Sequence, residues 1–350
     1  MMNTGVVIDR RYMDHDMGAW HVESPARIEV LERMLTENPP IPYLPIGPRV
    51  ATDDELAYVH ERGYIDLIRS TAGQTVPMDG DTVAGPKTWE TALLAAGGFL
   101  ESADRVMDGT VRNALALVRP PGHHAEYSQA KGFCLFNNVA LGARYLQERY
   151  GMKKVMIIDI DLHHGNGIQN AFYDTDQVLY ASMHHFPSYP GTGKFGEVGA
   201  GKGEGFTVNI PLGKGQGDEE FARIVYFVLN PIAQALQPEF ILIACGFDLY
   251  EHDRLGAMRV TPGGYGLITF FLLAIAEKVC QGRIGFIMEG GYSLRGIREC
   301  GLRVLQELCG VSSVDGKKLD KIVGSSPRKV PAMSKVMEVH SKYWPVFNRE

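Results

Sequence analysis

Val155-Met-Ile-Ile-Asp-Ile-Asp-Leu-His-His-Gly-Asn-Gly167 begins as an apolar run and ends in acids, histidines and glycines. Val155 to Ile160 has the length of a strand, and its weak polar alternation marks burial on both faces. A parallel sheet covered by helices produces such runs. Others of the same kind are Leu115–Val118, Val178–Ala181, Phe240–Ala244 and Ile284–Met288. Helix-like stretches lie between or before them: Ser24–Glu37, Pro86–Met107, Asn138–Tyr150, Asp218–Ala235 and Pro262–Val279. Phe206–Leu212 is a further strand, with Pro211 limiting its pairing. The alternation predicts an α/β layered fold. Pro39–Pro48 reads as a surface loop and the glycine-rich Ser188–Gly205 as a long functional loop. A final helix is expected around Ala332–Tyr343, with no internal repeat and no second domain.

Polar groups leave these strands at their carboxyl ends. His123 and His124 follow Leu115–Val118, and Asp161 and His163 follow Val155–Ile160. Asp248 follows Phe240–Ala244, and Tyr292 follows Ile284–Met288. Open α/β sheets bind ligands outside the carboxyl ends of their strands, so four segments deliver these groups to one rim.

The composition is that of a globular chain, with 45% hydrophobic and 22% charged residues over 350 positions. A net charge of −6 argues against general nucleic-acid affinity. Five scattered cysteines without a C-x-x-C pair read as reduced intracellular thiols. Val6-Val7-Ile8 is too short for a signal segment, and no apolar run is read as a membrane span. The expectation is a cytoplasmic protein with no membrane partner and with oligomerisation left open.

Asp161 and His163 are two apart, so at a strand end they point to the same side. That suits two ligands of one metal. The alternative is a salt-bridged acid and a core histidine, which the density of acids at the strand end disfavours. Asp248 adds a third ligand and leaves a position open, the catalytic rather than the structural pattern. Zinc is the first expectation, and O/N/O donors also suit iron(II) or manganese. Arg119-Pro-Pro-Gly-His-His124 holds two histidines on a rigid turn. They serve either as ligands or, since aspartates fill that role, in acid–base catalysis with Asp159 orienting one of them. In Met288-Glu-Gly-Gly-Tyr292 the glycines free the backbone to swing a tyrosine over the site, against the alternative of plain packing. His184 and His185 are read as structural.

Pro-Gly-His-His124, Gly132-Phe-Cys134, Asp159-x-Asp-Leu-His-His-Gly-Asn-Gly167, Tyr189-Pro-Gly-Thr-Gly193 and Glu289-Gly-Gly-Tyr292 together resemble the arginase/deacetylase superfamily. More narrowly, they resemble its zinc-dependent histone deacetylase, acetoin-utilisation and acetylpolyamine amidohydrolase family. The resemblance is strongest over residues 21–308 and implies one deacetylase domain over 1–350 with an eight-stranded parallel sheet. It implies zinc on Asp161, His163 and Asp248. It implies catalysis by His123, backed by Asp159, by His124, backed by Asn166, and by Tyr292. Gly132, Phe133 and Tyr189 match the acyl tunnel, and Arg27 matches an internal-channel arginine. Structural potassium is implied at the backbone oxygens of Asp159, Asp161 and His163 with Ser182, and again near Phe172, Thr175 and Val178.

Two departures refine the resemblance. Asn166 stands where many members have an aspartate and, with Glu289, points to the class II branch. An amide stabilises an imidazolium less than a carboxylate does, so His124 is expected to have the lower pKa of the pair. Leu255 stands where vertebrate polyamine deacetylases carry an acidic gatekeeper, which favours an acylated lysine over an acetylated polyamine. A binuclear manganese ureohydrolase would need a bridging carboxylate where this chain has Gly165. A non-catalytic binding module would lack a ligand, a histidine or the tyrosine.

Overall fold

The computed structural model describes residues 3–37, 41–312, 314–324, 326 and 330–348. Ten strands are formed among these residues. They are β1 (Thr4–Val7), β2 (Tyr43–Ile46), β3 (Val76–Pro77), β4 (Val83–Ala84), β5 (Asn113–Ala116), β6 (Val155–Asp159), β7 (Val178–His185), β8 (Thr207–Leu212), β9 (Phe240–Cys245) and β10 (Ile284–Met288). Eight of them make one sheet in the order β2-β1-β5-β10-β9-β6-β7-β8, and β3 and β4 form a small antiparallel ribbon. Every pairing in the large sheet is parallel. β5, β6, β7, β9 and β10 are buried at every position, as the unbroken apolar runs require.

Helices cover both faces. Thr88–Met107 packs on Asn138–Tyr150 and on β1, β5 and β10, while Pro262–Cys280 packs on Leu294–Leu308 and Asp218–Ile224. Local signals explain several boundaries. The Asn137 side chain accepts from Ala140 N to start Asn138–Tyr150, and Gly151 ends it at φ 67°. The expected helix over Asp218–Ala235 is continuous to Leu236 but widens into a π-turn at Val225–Leu229. Pro231 follows at once and has no N–H for the preceding turn, which is where such a bulge relieves the backbone.

Three expectations are corrected. Pro39–Pro48 is not wholly a loop, because Tyr43–Ile46 pairs with β1 and sets Pro45 opposite Val6 (residues 38–40 lie outside the described set). β2 is an edge strand, where a proline costs no sheet hydrogen bond. The strand expected at Leu115–Val118 lies two residues earlier, at Asn113–Ala116. Pro262–Cys280, 19 residues long, is after all long and apolar enough to cross a membrane by length and composition. Here it lies in the protein, with Tyr265, Ile268 and Leu272 fully buried. The tail folds as Gly316–Val323 and Pro331–His340, and Trp344 Nε1 donates to the Gly205 carbonyl 2.9 Å away.

β5 and β6 are consecutive in sequence but are separated in the sheet by β10 and β9. The carboxyl ends of these four neighbouring strands therefore converge where the chain changes direction across the sheet, the position at which open sheets bind ligands.

Candidate active site

β6 ends at Asp159, and the next turns carry Asp161 and His163. Asp161 Oδ1 accepts from His163 N at 2.9 Å, and its Oδ2 accepts from Gly290 N at 2.8 Å. Asp248, just beyond β9, takes Leu162 N on Oδ1 at 2.9 Å. Its Oδ2 is buried without a hydrogen-bond partner and lies 3.3 Å from His163 Nδ1. Ligand atoms of Asp161, His163 and Asp248 all fall within 4.8 Å of one another. A Cβ on Gly290 would stand 2.5 Å from Asp248 Oδ2 and 2.6 Å from Asp161 Oδ2, so the glycine lets two carboxylates share one cradle.

The charges in this cradle want a cation. Burial raises Asp248 and the neighbouring Asp161 carboxylate raises it further, to about 7. Burial works against the charged form of His163, but the Asp161 and Asp248 carboxylates outweigh it and lift the ring to about 10. A dication in the same place would satisfy both acids and displace the histidine proton, since imidazole binds metals in its neutral form. Two carboxylates, one of them with an orphaned oxygen, and one imidazole are a fitting donor set for zinc.

The two adjacent histidines lie beside the cradle with ring centroids 3.9 Å apart. His123 Nδ1 is 3.2 Å from Asp159 Oδ2. Burial opposes its charge, yet Asp161 and Asp159 raise it to about 10. His124 Nδ1 is 2.7 Å from Asn166 Oδ1. Burial, then the charges of His123 and His163, hold it well below the ordinary imidazole value. The expected order of basicity is thus the one found, though its cause differs. The amide contact itself raises His124 slightly, and burial and two cationic neighbours decide the sign.

A cavity of about 320 Å³ opens above, lined by Asp81, His124, Gly132, Phe133, His163, Tyr189, Leu255 and Tyr292. All four residues expected at the substrate are in this wall. Gly132 (φ 55°) and Phe133 (φ 70°) are both left-handed, and a Cβ on Gly132 would stand 2.5 Å from the His124 ring. That strained turn, secured by Phe133 N donating to Thr82 Oγ1 at 2.9 Å, aims the phenyl ring into the cavity. Phe133 meets Tyr292 edge-on at 5.7 Å, and Tyr189 meets His124 edge-on at 5.0 Å. The Tyr189 loop is fastened from below by His164 Nδ1 to Thr192 Oγ1 (2.7 Å) and by His184 Nε2 to the Gly193 carbonyl (2.9 Å). His184 is thereby structural, as expected.

Tyr292 is aimed by its backbone. Its N–H and that of Ser293 donate to Asp253 Oδ2 at 2.6 and 2.7 Å. Behind it, fully buried Arg27 donates to the carbonyls of Glu289, Gly290 and Gly291 at 2.5, 3.0 and 2.8 Å. Arg27 is charge-paired with buried Glu23, which also takes two bonds from Arg119. Asp81, Asp253, Glu23 and Glu126 were not singled out in the sequence. Glu126 had a signal, standing two residues after the histidine pair, and the others had none.

A family model described as a histone deacetylase domain matches residues 21–308. The chain belongs to the histone deacetylase family. It is 36% identical to histone deacetylase HDA1 of Saccharomyces cerevisiae, over 94% of this chain and 50% of that protein. It is 34% identical to a probable deacetylase of Archaeoglobus fulgidus, over 99% of this chain and 100% of that one. The chain thus spans half the length of the yeast relative and all of the archaeal one. A crystal structure of the HDA15 HD domain superposes with a TM-score of 0.89 at 36% identity, covering 99% of this chain and 96% of that chain. The eight-stranded parallel sheet is therefore the deacetylase fold that the motifs implied.

Proposed function

We propose that this protein is a zinc-dependent amidohydrolase that removes acetyl or related short acyl groups from the ε-amino group of lysine. Family membership supports an amide hydrolase acting on acylated lysine. The observation that carries the reading is the Asp161–His163–Asp248 cradle at the floor of a cavity roofed by Tyr292 and flanked by two histidines of opposite character. Bound there, zinc (or iron(II), which the same donors accept) supplies Lewis acidity toward the amide carbonyl and its attacking water.

The chain's own groups do the rest. His124, kept neutral, takes the proton of the water and returns it to the departing amine. His123, held by the Asp159 carboxylate, adds positive potential beside the carbonyl. The Tyr292 hydroxyl donates to the carbonyl oxygen as it becomes negative, a contribution of about 3–4 kcal/mol for one preorganised donor. Phe133 and Tyr189 flank the methylenes of the lysine arm and exclude water. Structural potassium belongs to the proposal at Asp159, Asp161, His163 and Ser182, where Asp159 and Ser182 are register partners, and near Phe172, Thr175 and Val178. The proposed location is the cytoplasm, supported by five free cysteines. No nucleic-acid or membrane partner is included.

Asp81 favours a second reading, because one acid at the mouth suits an acetylated polyamine. Leu255 in the same wall favours lysine. One panel of acetyl-lysine peptides, acetylspermidine and acetylputrescine separates them. Peptides are expected to have the higher kcat/KM, and a tenfold advantage for the polyamines would reverse the choice.

A further inference from the structure

His124 is backed by an amide, and an amide has two unlike ends. Which end faces the ring decides which ring nitrogen carries the proton. Asn166 Oδ1 lies 2.7 Å from His124 Nδ1, so Nδ1 donates and Nε2 keeps its lone pair on the cavity side. The other end of the amide meets two groups that only accept. Asn166 Nδ2 donates to Glu126 Oε1 at 2.5 Å and to the His124 carbonyl at 3.2 Å. The charged acceptor is the closer and the stronger of the two.

Glu126 is itself held from two sides. Asn170 Nδ2 lies 3.0 Å from each of its carboxylate oxygens. Its peptide donates to the Gln129 carbonyl at 2.9 Å and accepts from His60 Nδ1 at 2.9 Å. A half-buried carboxylate with this much fixing is a part of the site and not a solvated surface charge.

We propose that Glu126 is a positioning residue: it locks the Asn166 amide in the orientation that keeps the proton on His124 Nδ1 and leaves Nε2 free to act as the base. The chain His124–Asn166–Glu126 ends in a carboxylate one residue further out than the His123–Asp159 pair. This inference rests on the reading of His124 as the base in deacetylation.

The test combines two substitutions and two readouts on the zinc-loaded enzyme. Glu126→Ala leaves only the His124 carbonyl to orient the amide. kcat should fall on the order of tenfold with KM within twofold, a fraction of what a general base supplies. Asn166→Asp accepts from His124 with either oxygen and needs no orienting. In that background Glu126 is only a like-charged neighbour, so at pH 8–9, above the acid limb, Glu126→Ala should leave kcat unchanged or raise it. A purely structural Glu126 would instead cost the same factor in both backgrounds, which overturns the proposal. So does a single variant that retains more than half of kcat. The second readout is the ¹⁵N shift pair of His124, assigned by its loss in His124→Ala. It should report Nδ1–H in the parent and a tautomer mixture in Glu126→Ala, and an unchanged tautomer overturns the proposal. If no acyl substrate is turned over, the deacetylase reading fails, and the tautomer alone still decides the role of Glu126.

Discussion

His123 and His124 share a peptide bond and near-complete burial, yet they carry opposite charge preferences. His123 sits 3.2 Å from a carboxylate and 3.7 Å from a second one. His124 sits against an amide, beside the His123 ring and the His163 ring of the metal cradle. Desolvation acts on both, so it cannot separate them. What separates them is the sign of the neighbouring charge, negative at His123 and positive at His124, and in a dry site each such neighbour acts with little screening. The difference divides labour: one ring supplies fixed positive potential and the other a free lone pair.

The comparison depends first on the cradle beside both rings. Asp248→Ala removes one of its three donors, and it should abolish measurable turnover, a loss beyond about 10³ in kcat/KM. Zinc per chain, measured by atomic emission after dialysis, should fall with it, while circular dichroism stays near the parent and Tm drops, because the bound metal and the Leu162 N acceptor are lost together. Full zinc content with full activity would remove Asp248 from the metal site. Tyr292→Phe comes next, and it leaves both histidines untouched. Its hydroxyl acts on charge that develops during reaction, so kcat should drop by about 10²–10³ with KM nearly constant. Retention of more than a third of kcat would leave Tyr292 a packing residue.

Asp159→Asn gives His123 the kind of partner His124 already has. A hydrogen bond to a charged group is worth about 1.5–3 kcal/mol, so kcat should fall roughly 10–150-fold. The lost carboxylate also accepts from Tyr180 Oη at 3.0 Å and from Asp161 N at 3.1 Å, so Tm is expected to drop as well. Activity equal to the parent would show that the His123 charge is not used.

The parts of this arrangement that were legible in the sequence are those encoded by short spacing. Asp161 and His163 share a strand end two residues apart, and the buried runs Val155–Ile160 and Ile284–Met288 announce where strands stop. Asp159 behind His123 and Asn166 behind His124 came with the motifs. What was not legible is set by pairing across the fold. β1 has four residues, and β2 carries a proline that only an edge position tolerates. Asp253 reaches the Tyr292 turn from 39 residues away, and Glu23 reaches Arg119 from 96. No local pattern marks an acid for such a partner. Glu126 sits between these cases, adjacent in sequence to the histidines but meaningful only once Asn166 is brought against it.

Asn166→Asp is the reverse exchange and the smallest expected effect, since it alters the His124 partner without removing a bond. A carboxylate at this position favours the charged imidazole, and an opposite charge in contact raises a pKa by about 1–3 units. In the parent, His124 lies well below the ordinary imidazole value, so the base stays unprotonated and active on the acid side of neutrality. Raising its pKa keeps it protonated to higher pH, and a protonated ring accepts nothing. The acid limb of the kcat profile should therefore move up in pH, with the loss confined to its acid side and kcat kept within about fivefold at pH 8–9. Glu126, 2.5 Å from the substituted group, resists a second negative charge and should shorten the shift. Adding Glu126→Ala should lengthen it again. A limb that stays in place, or moves down, would mean that His124 is not the group whose protonation limits the rate, and the division between the two rings would have to be drawn the other way.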